Sequence, residues 1–381
     1  MASNKNNIST KNNSAFKIAW FTFLVLISIL FSRYILVGIN DMLAVSKPAG
    51  TVVVEIPEGA SLRKIAEILK NSEVIYEKEF FEIYVRLMRA SNKFIAGVYE
   101  LETNMDYQEI IENLKDSSNL KNVVEVTFTE GMNVLDYAEL LEKNTICKKD
   151  EFLTTVNSDK FDSKYDFLKE INNSQNRIYK LEGYLWPDTY KFYQDEKAST
   201  IIEKILSNFQ KKVSIKEKFE GFSENKSIIE LAKSKNISLD KLLNIASLIQ
   251  AEAANKEDMY LVSSVIWNRL DTINNGGKSI FNEFSLEILR IDSTINYPYK
   301  KNSKNVNKSV DKLKETCYNT YKIKGLPAGA ICNPGKDAII AAINPSKTDY
   351  YYYCHSKSGA AFYARTNQEQ IANLKKAGLR L

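Results

Sequence analysis

Apolar and polar positions alternate along this chain in three distinct ways. From Ile18 to Val37 the run is almost wholly apolar, with Arg33 its one charge. As a helix this stretch spans roughly 30 Å, the thickness of a bilayer core. Elsewhere a strand-like segment, a glycine and a helical period follow one another twice, at an offset of 72 residues. The first copy reads Val54-Glu55-Ile56-Pro57-Glu58-Gly59, then Leu62, Ile65, Ala66 and Leu69; the second reads Val126-Thr127-Phe128-Thr129-Glu130-Gly131, then Val134, Tyr137, Ala138 and Leu141. Each copy predicts a strand, a glycine turn and an amphipathic helix, with Ser61 and Asn133 as N-caps. A further strand is expected at Gly97–Leu101, leading through Asp106 into a helix that carries Ile110, Ile111 and Leu114.

The third pattern bears on chemistry. Leu242, Ile245, Ile249 and Glu252 follow at steps of three, four and three, so they share one helix face. A carboxyl group that continues a buried stripe is partly desolvated, and desolvation favours its protonated form. Glu252 therefore reads as a general acid. The alternative is a helix-end glutamate that reaches water or pairs with a lysine such as Lys256.

Length and charge narrow the picture. At 381 residues the chain has room for two or three domains. A net charge of +5 is small for this length and does not resemble a nucleic-acid footprint. Lys5, Lys11 and Lys17 precede the apolar run without an acid, so residues 1–17 are expected to be a cytoplasmic tail and residues 18–37 an uncleaved transmembrane helix. A cleaved signal peptide is the competing reading, although Ser32-Arg33-Tyr34 lacks the small residues that cleavage needs. The bulk of the chain then faces outside the cell membrane.

Cys147, Cys317, Cys332 and Cys354 fit no zinc spacing and are expected to be free or disulfide-paired. His355 is the lone histidine, which removes Ser-His-Asp and Cys-His chemistry unless His355 is itself the base. No metal or cofactor is expected. Composition turns polar between residues 150 and 180, where a domain boundary is placed. Residues 50–157 form the repeat-bearing region, whose strand–helix units resemble glycan-binding LysM modules; a spacer between membrane and next domain is the alternative. Loops are expected at Asn274–Gly277 and at Lys300–Lys314, and a surface helix over Gln368–Leu381 ending near Gly378.

Residues 178–381 carry motifs that together make the inventory of a sugar site. Tyr184, Trp186, Tyr190 and Trp267 are candidate stacking platforms, while Asn268, Asp292 and Asn319 can grip hydroxyls. Gly325–Gly335 is a Gly/Pro loop suited to lining a cleft. The strings EGYLWPDTY from Glu182, ASLIQAEA from Ala246, NRL from Asn268, YNTY from Tyr318 and GLPAGAICNPG from Gly325 resemble those of the YceG-like family of endolytic murein transglycosylases. The resemblance covers nearly the whole chain. It implies an α+β protein with a short cytoplasmic tail, one membrane helix, a LysM-like region and a mixed α/β catalytic domain. It also implies cleavage of the β-1,4 bond between N-acetylmuramic acid and N-acetylglucosamine, leaving a 1,6-anhydro end. Glu252 stands at the family's catalytic position. Glu182, Tyr184, Trp186, Asp188, Tyr190, Asn268, Asp292, Tyr318, Asn319 and Thr320 are the expected substrate-binding residues. Partnership with penicillin-binding synthases is implied as well.

The sequence departs from the family pattern in places. Gln250 replaces a glutamate, Ala251 a frequent lysine, and Ser293 the proline of a D-P-T pattern; Ala360 and Glu369 stand where histidines are common. A transglycosylase needs only one carboxyl group, because the sugar supplies its own nucleophile. Asp292, Glu182 or Asp188 as a second carboxylate would instead make a hydrolytic muramidase, and Glu182 and Asp188 have the alternative role of binding backbone amides in a turn. A catalytically weak, glycan-binding scaffold is the third reading.

Overall fold

The computed structural model describes residues 7–171, 174–276, 287–295, 297–299 and 317–379. The loop expected at Lys300–Lys314, together with Lys5, Asn172, Asn173, Gly277 and Asn296, lies outside these residues. The architecture is mixed α+β, and the chain divides into two compact units, residues 1–123 and 124–381.

In the first unit, α1 (Asn7–Met42) contains Phe16–Met42, the one helix among the described residues that is long and apolar enough to cross a membrane. Beyond it, β1 (Thr51–Ile56) and β2 (Gly97–Glu102) pair antiparallel, Thr51 opposite Glu102 and Ile56 opposite Gly97. Between them run α2 (Leu62–Asn71) and α3 (Lys78–Leu87), and α4 (Tyr107–Lys115) follows. The cap expected at Ser61 forms, its Oγ accepting from Lys64 N–H at 3.3 Å, and α4 is capped by a reciprocal box of Asp106 and Glu109. Ile65, Ala66 and Leu69 of α2, Phe81 and Val85 of α3, and Tyr107, Ile110 and Leu114 of α4 close one core. The C-terminal end of α1 is fastened to this core by a buried ion pair, Asp41 with Lys47 at 3.0 Å. Asp41 also accepts from Tyr76 N–H, Glu77 N–H and the Tyr107 hydroxyl, at 2.9, 2.8 and 2.5 Å. Burial, reinforced by the Asp41 carboxylate, pushes the Tyr107 phenol well above its ordinary range, so it stays a donor.

The second unit begins with β3 (Val123–Thr127), α5 (Val134–Lys143) and α6 (Lys149–Val156), then β4 (Thr189–Tyr193), which pairs with β3. After α7 (Ala198–Ser214) come a two-residue pairing of β5 (Glu217–Lys218) with β6 (Asn225–Lys226), then α8 (Ile228–Ser234), α9 (Leu239–Glu252) and α10 (Lys256–Asn274). A helix at Lys336–Ile343 (α11), the hairpin β7 (Tyr352–His355) and β8 (Ala361–Ala364), and α12 (Asn367–Lys376) complete the described elements. α12 buries none of its residues and is followed by Gly378 at φ +70°, as the expected surface helix requires. α9 lies at the centre of this core: Leu242, Ile245, Leu248 and Ile249 are each fully buried, at roughly 1.5–3 kcal/mol per side chain.

The division at residues 123 and 124 falls earlier than the polar stretch at 150–180 that suggested a boundary. Both repeat copies fold locally as the pattern dictates, with Gly59 and Gly131 at φ +71° and +84°. Yet β3 and α5 join the second core, because Val134, Tyr137, Ala138 and Leu141 are buried there and Phe128 stacks on Tyr137 at 3.8 Å. Asn333, fully buried, binds the unit's segments together. Its side-chain oxygen accepts from Gly183 N–H and Leu185 N–H at 2.9 and 3.1 Å, and its amide donates to the Met132 carbonyl at 3.2 Å.

Candidate active site

α9 brings Glu252 to its last turn, where the buried face ends and a cleft of about 420 Å³ opens. Arg269, Arg290, Asp292, Tyr321 and Tyr353 share that cleft with it. Glu252 Oε1 accepts from Ser293 N–H at 3.3 Å, and Oε2 accepts from the Tyr353 hydroxyl at 3.0 Å. Lys256, the alternative partner, pairs with Asp337 at 3.1 Å instead. Tyr353 is held protonated, since burial pushes its phenol up and the neighbouring Glu252 carboxylate pushes it further. A permanent donor thus faces one carboxyl oxygen of Glu252 from β7.

The walls of the cleft are fixed from behind. Thr320, fully buried, accepts from Ile291 N–H at 2.8 Å and meets the Thr294 hydroxyl at 2.9 Å, which ties the Asp292–Ser293 turn to the YNTY segment. The Asn319 side chain accepts from Tyr321 N–H at 3.0 Å, and the Tyr321 hydroxyl donates to Asp292 at 2.5 Å. The Asn268 amide donates to the carbonyls of Thr348 and Tyr350, at 2.9 and 2.8 Å, just before β7. Arg269 donates to the carbonyls of Tyr351, at 2.6 Å, and Leu289, and its guanidinium lies 5.1 Å from the Tyr352 ring centre. Burial lowers the Arg269 pKa from its ordinary value. His355 faces the cleft and meets Asp258 at 2.8 Å; Asp258 also accepts from Ala254 N–H at 2.8 Å, fixing the turn that follows Glu252.

Of the residues expected to bind substrate, Asp292 lines this cleft, while Asn268, Asn319 and Thr320 build its walls. Tyr318 is fully buried, its hydroxyl accepting from Ile178 N–H at 3.4 Å. The EGYLWPDTY segment does not reach the cleft. The Glu182 carboxylate is buried and caps α5, accepting from Val134 N–H at 3.0 Å and from the Tyr297 hydroxyl at 2.9 Å. Burial raises the Glu182 pKa to about 8, against the lowering effect of those hydrogen bonds. Tyr184 is fully buried and donates to Asp240 at 2.9 Å; Tyr190 donates to the Trp186 carbonyl at 2.7 Å, and both Trp186 and Tyr190 are core residues. Asp188 accepts from Asn208 and pairs with Lys212, each at 3.0 Å, and these partners hold it below the usual carboxylate range. Glu182, Tyr184, Trp186 and Tyr190 are thus buried in the second unit, whereas the Asp188 side chain is 38% exposed beside Lys212.

The Gly325–Gly335 loop likewise packs on α9 instead of lining the cleft. Asn244 donates to the Pro327 carbonyl at 2.8 Å, Ser247 Oγ accepts from Ile331 N–H at 3.1 Å, and Gln250 Oε1 accepts from Gly335 N–H at 2.9 Å. The Gln250 departure thus has a structural account: an amide oxygen accepts this backbone donor as a carboxylate would. A Cβ on Gly335 would stand 1.9 Å from the Glu130 carboxyl carbon, so the Glu130 side chain would have to move aside. Cys147, Cys332 and Cys354 are buried thiols outside any disulfide, and no metal-binding cluster occurs among the described residues. Tyr353, Arg269, Arg290 and Tyr321 are not among the site residues expected from sequence, although Arg269 and Tyr321 lie inside the NRL and YNTY strings and Tyr353 closes the run Tyr350-Tyr351-Tyr352-Tyr353.

A match to the YceG-like family model extends over residues 54–376, and the chain belongs to the YceG-like family. It is 33% identical over 324 residues to an endolytic murein transglycosylase of Bacillus subtilis, covering 84% of this chain and 82% of that protein. A Streptococcus pneumoniae protein of the same name is 27% identical over 93% of this chain and 63% of its own length. Among solved structures, a YceG-like protein of Listeria monocytogenes superposes with a TM-score of 0.51 at 25% identity, covering 84% of this chain and 98% of that one.

Proposed function

We propose that this chain is a membrane-anchored endolytic murein transglycosylase with Glu252 as its acid and base. The observation that carries the reading is the placing of Glu252 at the cleft between a permanently protonated tyrosine and a backbone N–H. Protonated Glu252 gives its proton to the glycosidic oxygen as the bond from C1 of N-acetylmuramic acid to O4 of N-acetylglucosamine breaks. The resulting carboxylate takes the proton of the muramic 6-hydroxyl as O6 bonds to C1. Glu252 ends the cycle protonated, no water is consumed, and the cut strand carries a 1,6-anhydro end. α1 supplies the anchor, residues 1–17 the cytoplasmic tail, and the second unit works outside the membrane on nascent strands. Residues 50–157 are read as holding glycan in a LysM-like manner, with a spacer as the alternative, and penicillin-binding synthases are the proposed partners.

Asp292 in the same cleft supports a second reading, hydrolysis by two carboxyl groups. Mass spectrometry of muropeptides released by the full-length protein separates the readings, with Glu252→Gln run alongside. Anhydro ends from the wild type alone are expected. Reducing ends alone would mean a muramidase, and equal cleavage by both proteins would remove Glu252 from the chemistry.

A further inference from the structure

We infer that α3 is a membrane-surface helix, which lays an apolar stripe into the outer lipid face beside the exit point of α1. The inference rests on the anchor reading of α1. Phe80, Ile83, Tyr84 and Leu87 recur at i, i+3, i+4 and i+7, on one side of α3. The opposite side carries Phe81 and Val85 into the core of the first unit. Half of the stripe is open, with Ile83 52% exposed and Leu87 76%, while Phe80 and Tyr84 are partly buried against the unit's own core. On α2 and α4 the outward positions are instead charged or polar, among them Arg63, Lys64, Glu67, Gln108 and Glu112.

Position along α1 decides what faces this stripe. Phe80 meets α1 edge-to-face at Tyr34, with ring centres 5.9 Å apart, and covers Gly38 so closely that a Cβ there would stand 2.3 Å from its ring. Gly38 is the first residue after the apolar run Ile18–Val37, so Phe80 stands at the level where that run leaves the hydrocarbon core. The Asp41–Lys47 pair, with the hydrogen bonds to Tyr76 and Glu77 at the start of α3, holds this level fixed. The unit's other exposed large apolar side chains beyond α1 are Leu43, Val45, Tyr76, Met88 and Val123. Four of these five adjoin α1 or α3 in sequence, at the same end of α1, whereas a soluble surface scatters such residues singly. Aromatic side chains at this depth, here Tyr34, Tyr76 and Tyr84, suit the headgroup layer.

The test uses the full chain in phosphatidylcholine–phosphatidylglycerol vesicles, with Cys317→Ser and a nitroxide on Ile83→Cys, Leu87→Cys or, as an aqueous control on α2, Arg63→Cys. The expected result is an oxygen-to-nickel collision ratio several-fold higher at positions 83 and 87 than at 63, in protein that floats with the vesicles. Equal ratios in floating protein would overturn the α3 assignment while leaving the anchor intact. Protein that fails to float would overturn the anchor reading, and this inference with it. As a second variant, Ile83→Glu with Leu87→Glu alters exposed positions only. A probe on Met88→Cys should then move into water while flotation is kept, and a probe already aqueous before the change would count against the proposal.

Discussion

Glu182 and Glu252 keep the same kind of company. Each carboxylate accepts from one backbone N–H and one tyrosine hydroxyl: Val134 and Tyr297 for the first, Ser293 and Tyr353 for the second. They differ in what lies on the remaining side. Glu182 is sealed at 1% exposure against the start of α5, while Glu252 opens onto a cleft shared with Asp292 and Arg269. One constellation therefore serves as a clamp where the core closes over it and, in the proposed function, as the reactive centre where a helix ends at the surface. The partner set of a glutamate does not reveal its role; access to a ligand does.

The largest expected effect separates the two most sharply. Glu252→Gln should lower glycan cleavage by about 10²–10⁴-fold with thermal unfolding unchanged. Glu182→Ala should do the reverse, costing roughly 2–3 kcal/mol in chemical denaturation by leaving a buried N–H and a buried hydroxyl unpaired. The pH dependence sharpens the contrast. The folded pKa of about 8 lies above the ordinary 4.5, so the native state holds more protons than the unfolded one between these values. Stability from this group is fully present below pH 4.5 and is lost as pH rises through about 8; Glu182→Gln should flatten that fall in denaturant titrations. Next in size, Tyr353→Phe should cut turnover roughly ten-fold by removing a hydrogen bond to a charged group. The smallest effect is expected for Ser293→Pro, which deletes the N–H donated to Glu252. Turnover should fall about three-fold at unchanged circular dichroism, and an unchanged rate would show that this hydrogen bond does not matter.

Much of this was legible at short range. The stripe leading to Glu252, the caps Ser61 and Asn133, the helix entered through Asp106, and the turn at Gly378 each depend on neighbours within a few positions. What escaped was set by distance along the chain. Tyr353 meets Glu252 from 101 residues away, and Glu182 caps a helix that begins 48 residues earlier. The aromatic EGYLWPDTY string looks like a sugar platform in isolation, because a ring that stacks on a sugar and a ring that fills a core are the same residue type. The twin strand–glycine–helix segments look alike locally yet join different cores, for a related reason. Glu58-Gly59 and Glu130-Gly131 are both exposed, but Glu130 also lies against Gly335, a contact no local pattern encodes.

Asn333 has one more implication. Its single side chain holds the N–H groups of Gly183 and Leu185 and the carbonyl of Met132, and its own backbone exchanges hydrogen bonds with Gly131 and Met132 at 3.0 and 2.9 Å. No one of these segments can peel away without stranding the others' donors in an apolar interior. Slow amide exchange should therefore be lost from residues 131–134, 183–185 and 333–335 together, marking a single cooperative opening unit in which the clamp around Glu182 and the loop behind α9 share one fate.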